Sequence, residues 1–149
     1  MSSPDVTAHL RSIMVPVDGS NASLVAVALA CDIARRNKGK VYVVHVIEVK
    51  RTMPLDAALE PEAAASDEII SRAEEMGREL RCQVEGAILQ ARQAGHAIVD
   101  EAIERGADLV IMGLERQGAF GEFQLGSITD YVLRNAPCEV WVCRQPARE

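Results

Sequence analysis

An acid directly after an apolar run and a Gly-Ser pair directly before a helical pattern are the residues whose types and places suit chemistry in this chain. The acid is Asp18, in "VPVDGS"; the pair is Gly126-Ser127, in "QLGSITDYVLRNA". A helix N-terminus exposes unpaired backbone N–H groups and the positive end of a dipole, and a preceding glycine lets an anion approach the backbone closely. Phosphate fits such a place. A second reading is equally direct: Ser127 followed by Asp130 is a capping-box-like S-x-x-D, in which side chains satisfy the helix's own N–H groups. Spacing alone leaves the two readings open.

Other reactive side chains offer less. Asp18 is an acid without a matched base, so hydrolysis by paired carboxylates has no support. His45 lies inside an apolar run and reads as a satisfied core histidine, while His96, after Gly95, reads as a surface or capping residue. The four cysteines, Cys31, Cys82, Cys138 and Cys143, form no C-x-x-C pair and have no histidine at ligand spacing, so buried reduced thiols are expected rather than zinc, a disulfide or a nucleophile.

The elements that must position these residues follow from periodicity. "SIMVPV" (12–17), "VYVVHVI" (41–47), "DLVIMG" (108–113) and "EVWVC" (139–143) are short β-branched runs, and "CQVEGAIL" (82–89) is a weaker one. Runs that are mostly apolar suit strands of a parallel sheet covered on both faces. Between them lie helical patterns. One spans Ser20 to Asn37, with Leu24, Val27, Cys31 and Ala34 on one face and basic residues before Gly39. The next opens at Pro61 and carries Ile69, Ala73, Met76 and Leu80; the last two span Gly95–Arg105 and Ser127–Ala136. Strict β-α alternation predicts an open, right-handed, doubly wound α/β sheet. Ligands of such sheets bind outside the carboxyl ends of the strands, which brings the residues after strands one, two and four together.

Composition narrows the function. With 149 residues, 48% of them hydrophobic, the chain fits a single domain (1–149, ordered core about 12–144). A net charge of −6, with 22 acidic against 16 basic side chains, lacks the footprint of a nucleic-acid binder. The N-terminus has no apolar core of signal-peptide length and no run spans a bilayer, so a soluble cytoplasmic protein is expected.

"IMVPVDGSNAS", "VYVVHVIE" and "ADLVIMG", followed by "LGSITDYVLRNAPCEVWVCR", resemble the successive blocks of the universal stress protein family across residues 12–144. The resemblance implies a flavodoxin-like fold with five parallel strands in the order 3-2-1-4-5, and a homodimer formed through the last strand (139–143), where Trp141 lies. It also implies binding of ATP or another adenine nucleotide (AMP, ADP or cyclic di-AMP), with Mg accompanying ATP, in a non-catalytic signalling role. By position, Asp18 matches the acid that meets the ribose or adenine side, with Pro16 and Val17 as its backbone neighbours. Val46 matches the adenine-contacting position, Met112 and Gly113 the end of the fourth strand, and Gly126, Ser127 and Ile128 the phosphate-holding helix start.

The family's phosphate loop reads G-x-x-G, nine residues, then G-S or G-T. Here Gly113 and Gly126-Ser127 keep the interval, but Arg116 stands in place of the second glycine. Arg116 either obstructs the ligand or closes its guanidinium on a phosphate. A shortened phosphate pocket favours fewer phosphates. "RTMPLDAAL" (51–59) and "QARQAGHAIVDEA" (90–102) are similar to universal stress domains associated with amino-acid permeases, which implies a membrane transporter as partner. The segment 49–68 reads either as a lid or partner-binding loop or as a solvated connection into a helix. Two alternatives stand beside nucleotide signalling: a dimeric interaction module without nucleotide, and a weak ATP hydrolase.

Overall fold

The computed structural model describes residues 5–115 and 126–146. The β-branched runs form five strands: β1 (Ser12–Pro16), β2 (Lys40–Glu48), β3 (Val84–Ala91), β4 (Leu109–Leu114) and β5 (Glu139–Arg144). Every pairing is parallel, in the order β3-β2-β1-β4-β5. The helices between them are α1 (Asn21–Asn37), α2 (Glu60–Glu79), α3 (Ala94–Arg105) and α4 (Ser127–Asn135). This is the doubly wound, flavodoxin-like sheet expected from the alternation of patterns. Among the described residues no helix is long and apolar enough to cross a membrane.

Period-two alternation splits each strand between two cores. Ile13, Val15, Val41, Val43, Leu109 and Ile111 point to α1 and α2, where they meet Val27, Cys31, Ile33 and Ile70. Met14, Tyr42, Val44, Val110 and Met112 point to the other face, against Ile98, Val99 and Val132. Burial of both faces explains why these strands read as continuous apolar runs. The weaker third run is an edge strand with Glu85 and Gly86 exposed, displaced by two residues from its predicted 82–89.

The chain runs outward from β1 through β2 to β3, then returns to place β4 on the other side of β1. The topological reversal therefore lies between β1 and β4, and the crevice at their carboxyl ends is where a ligand fits. Leading into it, Gly19 adopts φ 87° and turns the chain from β1 into α1, a backbone angle costly for a residue with a Cβ.

Segment 49–68 is the second of the two expected things, a largely exposed connection into a helix. Its first part is strapped to the end of β3: the Arg92 guanidinium donates to the carbonyls of Val49, Lys50 and Met53, and the Gln90 amide donates to those of Leu55 and Ala57. Its second part is the first half of α2, with Pro61 in the opening turn as predicted.

Candidate functional site

The end of β1 is held by its neighbour: Val17 N–H donates to the Val44 carbonyl at 2.9 Å, and His45 Nδ1 lies 2.7 Å from the Val17 carbonyl. His45 is thus a half-buried histidine with a backbone partner, as its place in the strand predicted. Asp18 follows on the surface. Its Oδ1 accepts Ser20 N–H at 2.9 Å, shaping the turn into α1, and Ser20 Oγ accepts Ser23 N–H at 3.1 Å as the helix N-cap.

At the end of β4, Gly113 lies against the first turn of α1. A Cβ at this position would stand 2.2 Å from the Ala22 carbonyl oxygen, so close approach of two backbones demands glycine here. Glu115 then reaches back, its Oε1 accepting Ala22 N–H at 3.3 Å.

Gly126 is a different kind of glycine. It is the N-cap of α4 with extended backbone (φ −69°, ψ 158°), and among the described residues a Cβ there would meet nothing within 4 Å. The capping-box reading of Ser127 and Asp130 is corrected by the structure: Ser127 is the first helical residue rather than the cap, and no side chain caps α4 among the described residues. The Asp130 carboxylate is instead 3.1 Å from Arg134 Nε, one turn along the helix. The opening turn of α4, Gly126 to Thr129, lines the crevice, and a helix's first N–H groups have no partner within the helix.

Of the ten residues predicted for the site, Pro16, Val17, Asp18, Val46, Met112, Gly113, Gly126, Ser127 and Ile128 line one cavity of about 310 Å³. Arg116 lies outside the described residues. Sequence reasoning missed Ser23, Val44, His45, Ala94, Ile98, Leu114 and Thr129, which line the same space. Ala94 follows β3, so the strand-end rule applied to the third strand would have found it. A second hollow of about 310 Å³ adjoins the first, sharing Ala94, Ser127 and Ile128, and adds Glu48, Gln93, His96 and Tyr131. In it the His96 and Tyr131 rings meet at 4.1 Å between centroids, while Glu48 Oε2 accepts Ala94 N–H at 3.0 Å and closes the N-terminus of α3.

A depression of about 380 Å³ lies at the opposite end of the strands, bordered by Arg11, Lys38 and Lys40. The chemistry favours the first cavity over this one. Arg11 there donates to the Lys38 carbonyl at the end of α1, Lys40 lies over the Tyr42 ring, and the Asp108 carboxylate adds negative charge while accepting the backbone N–H groups of Arg11 and Ser12.

The universal stress protein family model matches residues 9–144. Among curated relatives, a universal stress protein of Methanocaldococcus jannaschii is 29% identical over 145 residues, covering 93% of this chain and 85% of that protein. One from Thermus aquaticus is 31% identical over 142 residues, covering 90% and 98%. Among solved structures, a universal stress protein from Archaeoglobus fulgidus superposes with a TM-score of 0.77 at 25% identity, covering 89% of this chain and 97% of that one. A structure of a universal stress protein from Archaeoglobus fulgidus in complex with dAMP gives 0.70 at 21% identity (91% and 98% covered), and a universal stress protein in complex with cAMP gives 0.69 at 21% (92% and 98%). At 21% identity, the likeness to these two complexes speaks to the fold.

Proposed function

The chain belongs to the universal stress protein family, and from that premise we propose that the crevice between β1 and β4 binds an adenine nucleotide and that the protein acts as a non-catalytic regulatory module. The observation that carries the reading is the N-terminus of α4, which no side chain caps among the described residues, lining the same cavity as Asp18. A phosphate at Gly126 and Ser127 meets the helix's opening N–H groups and the positive end of the α4 dipole. Asp18 uses one carboxylate oxygen on Ser20 N–H and keeps the other for a ribose hydroxyl. Val46, Ala94, Ile98 and Met112 supply apolar walls for the base. The complexes of structurally similar proteins with dAMP and cAMP support adenine as the base. ATP, ADP, AMP and cyclic di-AMP, and Mg beside ATP, are the ligands to be compared.

A cytoplasmic location, a homodimer through β5 and a transporter partner belong to the same proposal. β5 pairs with β4 along one side and is the edge of the sheet, which supports its role as the dimer strand. Trp141 on that strand packs against the α1 core, with its indole N–H donating to Glu139 at 2.6 Å. The apolar weight of Trp141 therefore supports β5 from inside.

The test is a thermal-shift and calorimetric titration of nucleotide-stripped protein. At a hundred times its dissociation constant, a ligand raises stability by about 2.7 kcal/mol. Asp18→Ala and Gly126→Val should abolish that shift while leaving the apo protein folded, because both residues are exposed and outside the core. Unchanged affinity in both variants would sink the site. ATP turnover faster than in an Asp18→Ala control would replace the non-catalytic reading with the hydrolase one.

A further inference from the structure

Cys31 and Cys82 come from different elements and meet in the packed cluster that α1 and α2 form with the sheet. Cys31, within α1, is fully buried; Cys82, between α2 and β3, keeps part of its surface in solvent. Two backbone carbonyls fix the meeting. At the end of α2, Arg81 takes the left-handed conformation (φ 56°) and Cys82 N–H donates to the Gly77 carbonyl at 2.8 Å, a closure whose last residue commonly packs back against the helix. One turn beyond Cys31 on α1, Arg35 Nη1 donates to the Leu80 carbonyl at 2.9 Å, tying that helix to the chain two residues before Cys82. The Cys31 thiol is hydrogen-bonded to Cys82.

The other two thiols stand apart. Cys138 belongs to the core on the opposite face of the sheet. Cys143 shares the Cys31 face but is level with Gly113 across the β4–β5 ladder, and Gly113 abuts Ala22 in the first turn of α1. The length of helix from Ala22 to Cys31 is about 13 Å. Cys82 is therefore the partner within reach of Cys31.

The pair is asymmetric: a solvent-accessible thiol with increased thiolate character lies beside a second thiol that solvent does not reach, the arrangement of a peroxide-sensitive site. The hydrogen bond from Cys31 and the positive charge of Arg35 lower Cys82, while the same bond and burial raise Cys31. We propose that Cys82 is a site of reversible oxidation by peroxides and that Cys31 is its resolving thiol, the product being an intramolecular disulfide between α1 and the start of β3. In the first step the Cys82 thiolate attacks a peroxide oxygen. An S–O bond forms, the O–O bond breaks and hydroxide or alkoxide leaves, so Cys82 is oxidised to a sulfenic acid as the peroxide is reduced. In the second step the Cys31 sulfur displaces the sulfenic hydroxyl. The S–S bond forms, the S–O bond breaks, and the Cys31 proton leaves with the hydroxyl as water. A dithiol reductant restores both thiols by exchange. Sulfurs in hydrogen-bond contact must approach by about 1.5–2 Å to reach disulfide length, a movement taken up by the α2–β3 connection while α1 stays in the core. The site does not depend on what binds in the crevice between β1 and β4.

The experiment treats the reduced full chain with hydrogen peroxide and maps cysteine states by mass spectrometry of digests prepared without reductant, for wild type, Cys31→Ala and Cys82→Ala. Wild type should lose about 2 Da, give the Cys31–Cys82 cross-linked peptide as its main product, and regain both thiols with dithiothreitol. In Cys31→Ala, Cys82 has no resolving partner and should gain about 32 Da as a sulfinic acid that dithiothreitol does not reverse. Cys82→Ala should form no intramolecular disulfide. A thermal melt of each variant before treatment checks the fold, and the wild-type map stands without any variant. The proposal is overturned if Cys82 reaches sulfinic acid as fast in wild type as in Cys31→Ala, because Cys31 then resolves nothing. A main cross-link to Cys138, to Cys143 or to a second copy of the chain overturns it as well, as does a Cys82 left unchanged by peroxide.

Discussion

Gly113 and Ala22 pack backbone to backbone, so closely that a Cβ on residue 113 would stand 2.2 Å from the Ala22 carbonyl oxygen and 2.5 Å from its carbon. The partner is main chain at the start of a helix and cannot swing aside as a side chain would. Gly113→Ala should therefore push α1 off β4 and cost about 1–3 kcal/mol, the range for overpacking. Gly126→Ala adds the same methyl where, among the described residues, nothing lies within 4 Å, at φ −69°, and should change stability by less than about 0.5 kcal/mol. Urea unfolding of the two variants side by side separates a glycine kept for packing from one left open toward the crevice.

Glu48 and Ala94 make the corresponding junction on the other side. The carboxylate sits at the positive end of α3, where the nominal cap, Gln93, makes no side-chain capping bond. Glu48→Ala should cost about 1 kcal/mol by removing both the acceptor and the charge, and Glu48→Gln about half of that by removing the charge alone. Denaturant midpoints at low and high salt check the division: the difference between the two variants should persist in salt, while the wild-type advantage over Glu48→Gln should fade.

How far this architecture was legible in the sequence depends on whether a feature is local. Strands buried on both faces announce themselves as β-branched runs, which is why β1, β2, β4 and β5 fall within one residue of their predicted bounds. β3 slipped because an edge strand tolerates exposed Glu85 and Gly86, and its pattern thins accordingly. The strand-end rule brought Asp18, Gly113 and Gly126 into one cavity from positions far apart in the chain. Two things were hidden. Whether Ser127 caps α4 or begins it is a one-residue question that periodicity does not resolve, and it separates a self-satisfied helix from an open one. Glu115 and Glu48 were beyond reach because each caps a helix 93 or 46 residues away, a pairing that only the sheet order creates.

Arg92 organises the loop after β2 with a single guanidinium shared among three carbonyls. All three carbonyls surround one nitrogen, Nη1, whose two hydrogens they share, and Arg92→Ala removes that nitrogen. Arg92→Ala should therefore release residues 50–53, seen as faster amide hydrogen exchange there, with exchange in the central strand β1 unchanged. Adding Gln90→Ala should extend the fast-exchanging region to Ala57, whose carbonyl Gln90 holds. Equal exchange in wild type and both variants would mean that the loop is held by something other than these side chains.

Cys82 should be the most reactive of the four thiols, although sequence spacing singles out none of them. A hydrogen bond from Cys31 lowers the Cys82 thiol below its ordinary range, and the nearby positive charge of Arg35 acts in the same direction; that guanidinium is brought close by its 2.9 Å bond to the Leu80 carbonyl. The same hydrogen bond, together with burial, raises Cys31. Burial raises Cys143, and burial with the charges of Asp108 and Glu139 raises Cys138. A lowered value increases the thiolate fraction at neutral pH and a raised one decreases it, and the thiolate is the nucleophile. Limited iodoacetamide treatment followed by peptide mass spectrometry should find Cys82 modified first, Cys138 and Cys143 later and buried Cys31 last. Arg35→Gln should slow the Cys82 reaction by withdrawing the positive charge. Cys31→Ala should slow it further, because the thiolate then loses its hydrogen-bond donor; faster alkylation in Cys31→Ala would show that Cys31 shields Cys82 rather than activating it.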